Sequence, residues 1–592
     1  MARADRLAGT AEGLSEKPNS GVVKKYDLNL TTCILLGLLV VFFAAFLFYP
    51  VSLSLKNAFF AEGRFTLRYF ELLLSSPLQR ESLMNSFMIA LMTTALTTCL
   101  AVPMAWALTR FQFPGRGLLS SLVLVPMIMP PFVGAIGLRQ LLARYGSVNL
   151  LLMELGLVRP DAPVDWLGQG GFWGIVILQV LNLYPIMFLN VSAAMANMDP
   201  AMREAAQNLG ASGLRLFRTI TLPLILPGYF AGAIIVFIWA FTDLGTPLIF
   251  GFSRVVPVQI FDAINEIHTN PIGYALVVFV LLLTVALFIV SKRVLAARRY
   301  EMLARGHTAG GDTTASPGQT LLIWLALGGL VLVALLPHLA VITQSVARHW
   351  FFSPLPGEWT LENYREVWGH SLTASSIRQS LLYSSCSAAL DLVLGVTVAW
   401  LLTRRRIPMA GLLDALAMLP LALPGLVLAF GYVAGFDFTF AGADAWLNPR
   451  HNPTLLLIIS YSVRRLPYIV RSAYAGFQQT SVTLEEASAS LGASPWRTLR
   501  KITLPLVMAN LIAGTILTFS FAMLEVSDGL ILAMKEQYYP LTKMIYTIMG
   551  RIDPNAPGVA CALGVVGMVI LSASLMVAGL ILGRKLGQLF RA

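Results

Sequence analysis

The sequence predicts an all-α membrane protein of about twelve transmembrane helices, set out as two tandem six-helix halves related by a pseudo-two-fold axis along the membrane normal. Three observations predict it. The 592 residues are 57% hydrophobic and 12% charged, against about 25% charged in soluble domains, and the mean hydropathy is +0.72. Apolar runs long enough for a bilayer, about 20 residues each, recur along the chain. The second half of the chain repeats the first.

The composition excludes an ordinary soluble enzyme, a disordered chain and a nucleic-acid-binding domain. The net charge of +12 reads as Lys and Arg of cytoplasmic loops, so the expected surroundings are a lipid bilayer and no nucleic acid. Cys33, Cys99, Cys386 and Cys561 lie far apart within apolar runs, without a CxxC, which excludes a disulfide framework and a zinc site. The six histidines form no HxxxH or HExxH pattern. No catalytic residue and no metal site are expected. No GxxxxGK[ST] occurs, so the chain has no P-loop to cradle ATP phosphates.

The elements follow in order. A polar tail (1–30) carries Arg3, Arg6, Lys17, Lys24 and Lys25. The first apolar run, 31–55, is too long for a signal-peptide core and reads as a retained span. Further spans are expected at 84–109, 117–142, 172–196, 223–250 and 272–292, and a second set at 319–345, 378–403, 410–435, 454–477, 506–531 and 558–583. The first half is 31–297 and the second 321–592; between them 298–320 reads as a flexible cytoplasmic linker, GHTAGGDTTASPGQT at its end. Basic clusters follow even-numbered spans: Lys292, Arg293, Arg298 and Arg299; Arg404, Arg405 and Arg406; Arg584, Lys585 and Arg591. That bias places both termini in the cytoplasm.

The repeat is direct. Ala105–Arg110 (AWALTR) matches Ala399–Arg404 (AWLLTR), and the same offset of 294 pairs Pro126 with Pro420, Pro130 with Pro424 and Gly137 with Gly431. At an offset of 282, Pro185 pairs with Pro467, and Glu204–Leu224 aligns with Glu486–Leu506 at 13 of 21 positions. Each copy of this segment reads as a helix–turn–helix. Asp199 or Ser481 caps a short helix, Gly210 or Gly492 stops it, Ser212 or Ser494 caps a second, and Leu222-Pro223 or Leu504-Pro505 opens the next span. A plain loop has no reason to keep its sequence twice while the spans diverge, so the segment reads as a docking element on the cytoplasmic side.

Both copies resemble the EAA loop of ABC-importer permeases: EAA, three residues, Gly, nine residues, Ile-x-Leu-Pro. Glu204, Ala205, Ala206, Gly210, Ile220, Leu222 and Pro223 fit it fully. Glu486, Ala487, Gly492, Ile502, Leu504 and Pro505 fit it with Ser488 in place of the second Ala. Over nearly its whole length the chain resembles a fused type I permease, and single-chain permeases of the iron(III)-type family above all, with Tyr461–Ser472, Phe241–Gly251 and Val526–Tyr546 as supporting stretches. The resemblance implies a permease subunit in a bacterial inner membrane. It implies two copies of a cytoplasmic ATPase subunit docked on the EAA loops, ATP and Mg held by those partners and no cofactor by this chain. A periplasmic or lipid-anchored solute-binding protein would deliver a small polar solute. Ferric iron is the first expectation; 2-aminoethylphosphonate, thiamine, polyamines and sugar phosphates are the alternatives within the same mechanism.

Charged residues at membrane depth cost about 2.5–3.5 kcal/mol each on insertion scales and face cavities or partners. Asp243, Asp391, Arg464, Arg465, Glu525 and Asp528 are such residues. Asp243 and Glu525 each lie 39 residues after the EAA glutamate of their half (243 − 204 and 525 − 486). That equivalence expects two carboxylates near the pseudo-axis, either as a cation-attracting point on the path or as caps of helix breaks and partners of Arg464 and Arg465. Asp243, Glu525, Asp528, Arg464 and Arg465 are therefore the path candidates. Two rival classes fit less well. A secondary transporter would carry a G-x3-D-R/K pattern after its second span, absent from Thr109–Gly115, and a redox pump would pair histidines within spans.

Overall fold

A computed structural model describes residues 29–61, 63–297, 313–437 and 444–582. The expected tail 1–30 (bar its last two residues), most of the linker, and Arg584, Lys585 and Arg591 lie outside the described residues. Nine of the described helices are long and apolar enough to cross a membrane. Two further spans, the third and the ninth, are not the straight helices expected at 117–142 and 410–435. Arg116–Ile128 and Pro131–Glu154 meet at 94°, and Ala410–Leu421 and Gly425–Phe436 meet at 98°. The bends fall at Pro130 and Pro424, equivalent under the repeat. Each proline adopts extended backbone and starts the helix after it, which a residue without a backbone N–H can do at no cost.

The tenth span, Thr454–Gln479, completes the set of twelve. It is helical over 26 residues but carries Arg464, Arg465 and Arg471, and so falls outside the nine apolar helices. The second and eighth spans are longer than expected, 34 residues each (Pro77–Arg110 and Ser371–Arg404). The fifth and eleventh end earlier than expected, at Thr242 and Met523, and short helices Gly245–Phe250 and Ser527–Leu532 follow each break. The seventh begins at Pro317, inside the expected linker, where Ser316 and Gln319 form a reciprocal cap. Just before it, Thr313–Thr314 pairs in parallel with Phe111–Gln112.

The second short helix of each EAA segment is not separate from its span. Gly213–Leu216 runs through a π-helical turn, Phe217–Thr221, into the fifth span, and Pro495–Thr498 runs through Leu499–Thr503 into the eleventh. A π-turn widens the backbone and ends two residues before Pro223 and Pro505, where the proline ring would clash with the preceding turn of a regular helix. Ala44–Phe48 stands in the same relation to Pro50.

Each half has a core of three helices: the second, fourth and fifth spans in one, the eighth, tenth and eleventh in the other. The halves interlock through their first helices. The first span packs on the bent ninth, and the seventh packs on the bent third. Tyr432 Oη donates to the Phe46 carbonyl at 2.6 Å and Tyr49 Oη to the Gly435 carbonyl at 3.2 Å. The close approach needs glycine. A Cβ on Gly431 would meet the Pro50 carbonyl oxygen at 2.8 Å, and one on Gly137, its equivalent, would press into the Pro337 backbone. We expect Gly431→Ala to lower stability by about 1–3 kcal/mol through overpacking against backbone that cannot rotate away, read as a fall in the thermal midpoint of the detergent-solubilised chain. An unchanged midpoint would show that the halves can separate at this seam without loss.

Candidate functional sites at the EAA segments and the central cavity

The helix Pro200–Asn208 opens with Asp199 accepting from the Ala201 N–H at 2.9 Å, and Val482–Ser490 with Ser481 accepting from Thr483 at 3.3 Å. Ser494 caps its helix through the Arg497 N–H at 3.4 Å; Ser212, expected to do the same, makes no such bond. Both stops have the same geometry. Gly210 sits at φ +83° and Gly492 at φ +80°. The N–H of Gly210 reaches the Gln207 carbonyl and that of Ala211 the Ala206 carbonyl, each at 2.9 Å; Gly492 and Ala493 repeat this with Ala489 and Ser488. These bonds satisfy the last carbonyls of each helix.

Glu204 and Glu486 are exposed, as are Ala205 and Ala487, while Ala206 is buried. Ile220 and Ile502 are half-buried in the π-turns, with Pro223 and Pro505 just beyond. Ser488, the departure from the EAA pattern, is buried and shares a hydrogen bond of 2.9 Å with Thr498. The equivalent pair in the first half is Ala206 with Leu216, both apolar. Four apolar residues that the sequence reading passed over are the most prominent feature of these surfaces: Leu209 and Leu491 are 90% and 89% exposed, and Leu214 and Trp496, again equivalent, 70% and 68%. Basic side chains surround them: Arg215, Arg218, Arg497, Arg500 and Lys501 are exposed. Each half thus presents exposed apolar residues among basic ones on the same short segment. The signal was in the repeat, where LGAS occurs in both copies.

The second site lies between the halves. A cavity of about 170 Å³ is lined by Gln179, Asn182, Trp239 and Asp243 from the first half and by Arg464, Arg465, Phe521 and Glu525 from the second. Trp239 and Phe521 are equivalent under the repeat, and their rings meet edge to face at 6.4 Å, so the pseudo-axis passes between them. Asp243 and Glu525 stand four residues further along each chain and line the same cavity.

Their surroundings differ. Asp243 caps the short helix after the break, accepting from the Gly245 and Thr246 N–H groups at 3.1 and 3.4 Å and from Gln179 Nε2 at 3.2 Å; it makes no ion pair among the described residues. Glu525 is held between two arginines, Arg464 at 2.5 Å and Arg465. Asp528 sits behind the cavity wall, fully buried, accepting from Ser460 at 2.8 Å and facing Arg464 at 3.4 Å. Asp391 lies away from the cavity, where Ser462 donates to it at 2.6 Å. Both expected roles therefore coincide in space for Asp243 and Glu525: one caps a break, the other pairs with arginine, and both line this cavity between the halves. With the four lining groups ionised the wall carries no net formal charge, two carboxylates against two guanidinium groups, and Asp528 behind it adds a third carboxylate. Among the described residues no group of His, Cys, Asp and Glu has the geometry to hold a metal.

Comparison with known proteins agrees with the double architecture. The model of the family described as "Binding-protein-dependent transport system inner membrane component" matches twice, at residues 97–300 and 392–588. The chain is 27% identical over 523 residues to a putative ferric transport system permease protein, FbpB 1, of Haemophilus influenzae, covering 85% of this chain and 78% of that protein. It is 27% identical over 547 residues to a probable ABC transporter permease protein, y4fN, of Sinorhizobium fredii, covering 88% and 89%. A molybdenum transport system permease protein of Haemophilus influenzae, ModB, is 28% identical over 218 residues, which is 36% of this chain but 90% of ModB. One half of this chain thus corresponds to a whole permease chain elsewhere.

Proposed function

The chain belongs to the family of binding-protein-dependent transport system inner membrane components and is a permease subunit of an ABC importer; from that premise we propose that the solute it passes is ferric iron. The supporting observation is the ferric permease relative, which aligns across both halves of the chain and not one. In this reading a solute-binding protein delivers the ion as substrate to the outer face, and two copies of a cytoplasmic ATPase subunit grip the EAA segments. Both termini lie on that cytoplasmic side. The partners bind ATP and Mg; this chain holds no cofactor. The ion crosses between the halves past Trp239 and Phe521, and the carboxylate of Asp243, in no ion pair among the described residues, favours a cation there, while the described residues hold no ligand cluster to trap the ion. Closure of the ATPases moves the two EAA segments, and the helices rooted in them, the fifth and eleventh spans, carry that motion to Asp243 and Glu525 at their far ends.

The test is reconstitution. The chain alone in proteoliposomes should hydrolyse no ATP. With its ATPase subunit present, the binding protein loaded with ferric iron should stimulate hydrolysis and iron uptake. Hydrolysis by the chain alone would contradict the missing P-loop. Stimulation by thiamine, 2-aminoethylphosphonate, a polyamine or a sugar phosphate, with none by iron, would replace the solute and leave the mechanism standing.

A further inference from the structure

Asp391 is a buried acid to which the passage between the halves gives no role. It lies on the eighth span with no exposed surface. Ser462 donates to its Oδ1 at 2.6 Å, and its Oδ2 is buried with no hydrogen-bond partner among the described residues. A buried carboxylate oxygen without a donor is costly, so its place in the core of the second half needs a reason.

The reason stands one helical turn from Ser462. Arg465 is three residues further along the tenth span, on the same side of that helix, and its charge acts on Asp391. The same guanidinium lines the central cavity, holds Glu525 through Nη2, and lies 5.6 Å from the centre of the Phe521 ring. Its Nε is buried with no hydrogen-bond partner among the described residues. One arginine thus stands between two carboxylates and is joined to the one on the cavity wall. The atoms left over are a donor on Arg465 and an acceptor on Asp391. Glu525 does not depend on Arg465, since Arg464 contacts the same carboxylate at 2.5 Å. Arg464 is the more firmly held, with Asp528 at 3.4 Å as a second partner. Of the two arginines, Arg465 is the one that can leave.

The first half has neither member of the pair. Under the repeat Arg465 corresponds to Leu183 and Ser462 to Val180 (465 − 282 and 462 − 282), and Asp391 to Thr97 (391 − 294). The half without the arginine is also without the buried acid that would receive it. We propose that Arg465 is a movable counter-cation, which rests on Glu525 until a cation enters the cavity and then withdraws to Asp391. This rests on the reading that a cation crosses between the halves. The incoming charge replaces the resident one on Glu525, so the cavity wall stays near neutral throughout, and no guanidinium is left buried without a carboxylate. Asp391 never touches the solute; it is the positioning residue that gives Arg465 a second place to go.

Two measurements test it. The first needs no solute: electron cryomicroscopy of the full chain with its ATPase subunit in nanodiscs, unmodified and as Glu525→Gln, which removes the carboxylate's charge as a bound cation would. The Arg465 guanidinium should lie on Glu525 in the first and on Asp391 Oδ2 in the second. Arg465 still on the cavity wall in the variant would overturn the proposal. The second is iron uptake into proteoliposomes with the binding protein and the ATPase subunit. Asp391→Asn keeps an oxygen for Ser462 but offers Arg465 no charge. It should lower the maximal rate about tenfold, the value of one charge-assisted hydrogen bond in the moving step. The half-saturating concentration of loaded binding protein should not change. Combined with Arg465→Met, which leaves nothing to move, Asp391→Asn should cost nothing more. A normal maximal rate in Asp391→Asn would overturn the proposal, as would an equal loss with and without Arg465, which a merely structural Asp391 would give. If ferric iron fails to stimulate the unmodified complex, the solute reading falls, and the position of Arg465 in the Glu525→Gln structure decides the proposal by itself.

Discussion

Glu525→Gln is expected to destabilise the chain by about 3–5 kcal/mol, the usual result of removing one partner from a buried ion cluster. The carboxylate is 4% exposed and lies between Arg464 and Arg465. The amide that replaces it has the same shape but no charge, and leaves two guanidinium groups without the carboxylate both of them contact, while Asp528, 3.4 Å from Arg464, offsets them in part. Asp243→Asn, at the equivalent position, should cost only about 1 kcal/mol. The asparagine oxygen can still accept from Gly245 and Thr246, and the loss falls on the bond from Gln179. Removing a second charge should recover part of the loss, so Glu525→Gln with Arg465→Met should be more stable than Glu525→Gln alone. Thermal unfolding of the three variants in detergent reads all of this. Equal midpoints for Glu525→Gln and Asp243→Asn would mean that water neutralises the arginines and that the cluster is not buried in the working protein.

That inequality could not be read from the sequence, although the positions could. The repeat put Asp243 and Glu525 at one depth in two halves, and hydropathy put them inside spans. What hydropathy does not carry is direction. Spans three and nine read as straight because their apolar content is continuous through Pro130 and Pro424; the bends near 94° and 98° come from backbone at prolines that the repeat had already paired. The tenth span was legible for the opposite reason. Arg464, Arg465 and Arg471 spoil its apolarity, but its partner in the first half is plainly a span. The interlock of each first helix with the bent helix of the other half left no trace except Gly137 and Gly431, two small residues at one offset. At the EAA segments the turn was legible because glycine at positive φ has few substitutes. The exposed Leu209 and Leu491 were not, since an apolar residue beside a helix stop is ordinarily packed against its own helix.

The largest functional loss is expected from Gly210→Pro and Gly492→Pro. Proline fixes φ near −65°, whereas these glycines sit at +83° and +80°, so the ring cannot enter the existing turn. It also removes the N–H that reaches Gln207 in one copy and Ala489 in the other, each at 2.9 Å. The helix before the turn then loses its stop, and Leu209 or Leu491 is turned away from its exposed position, on which the proposed docking depends. Nothing in the membrane is touched: a Cβ at either glycine meets open space, so insertion and the detergent-solubilised fold should persist. Alanine is the control that separates backbone from bulk. It can hold positive φ at about 1–2 kcal/mol, meets no neighbour, and keeps its N–H, so Gly210→Ala and Gly492→Ala should retain most activity. The measurement is solute-stimulated ATP hydrolysis in proteoliposomes with the ATPase subunit, beside co-purification of that subunit. Each proline variant should lose stimulation at least tenfold, the effect of about 1.4 kcal/mol or more at one of two coupled docking sites. The exposed apolar tips differ between the halves only in Leu214 against Trp496, so the two losses should be similar. Normal coupling in both proline variants would remove the EAA turns from the transmission of force and leave the exposed leucines without a partner.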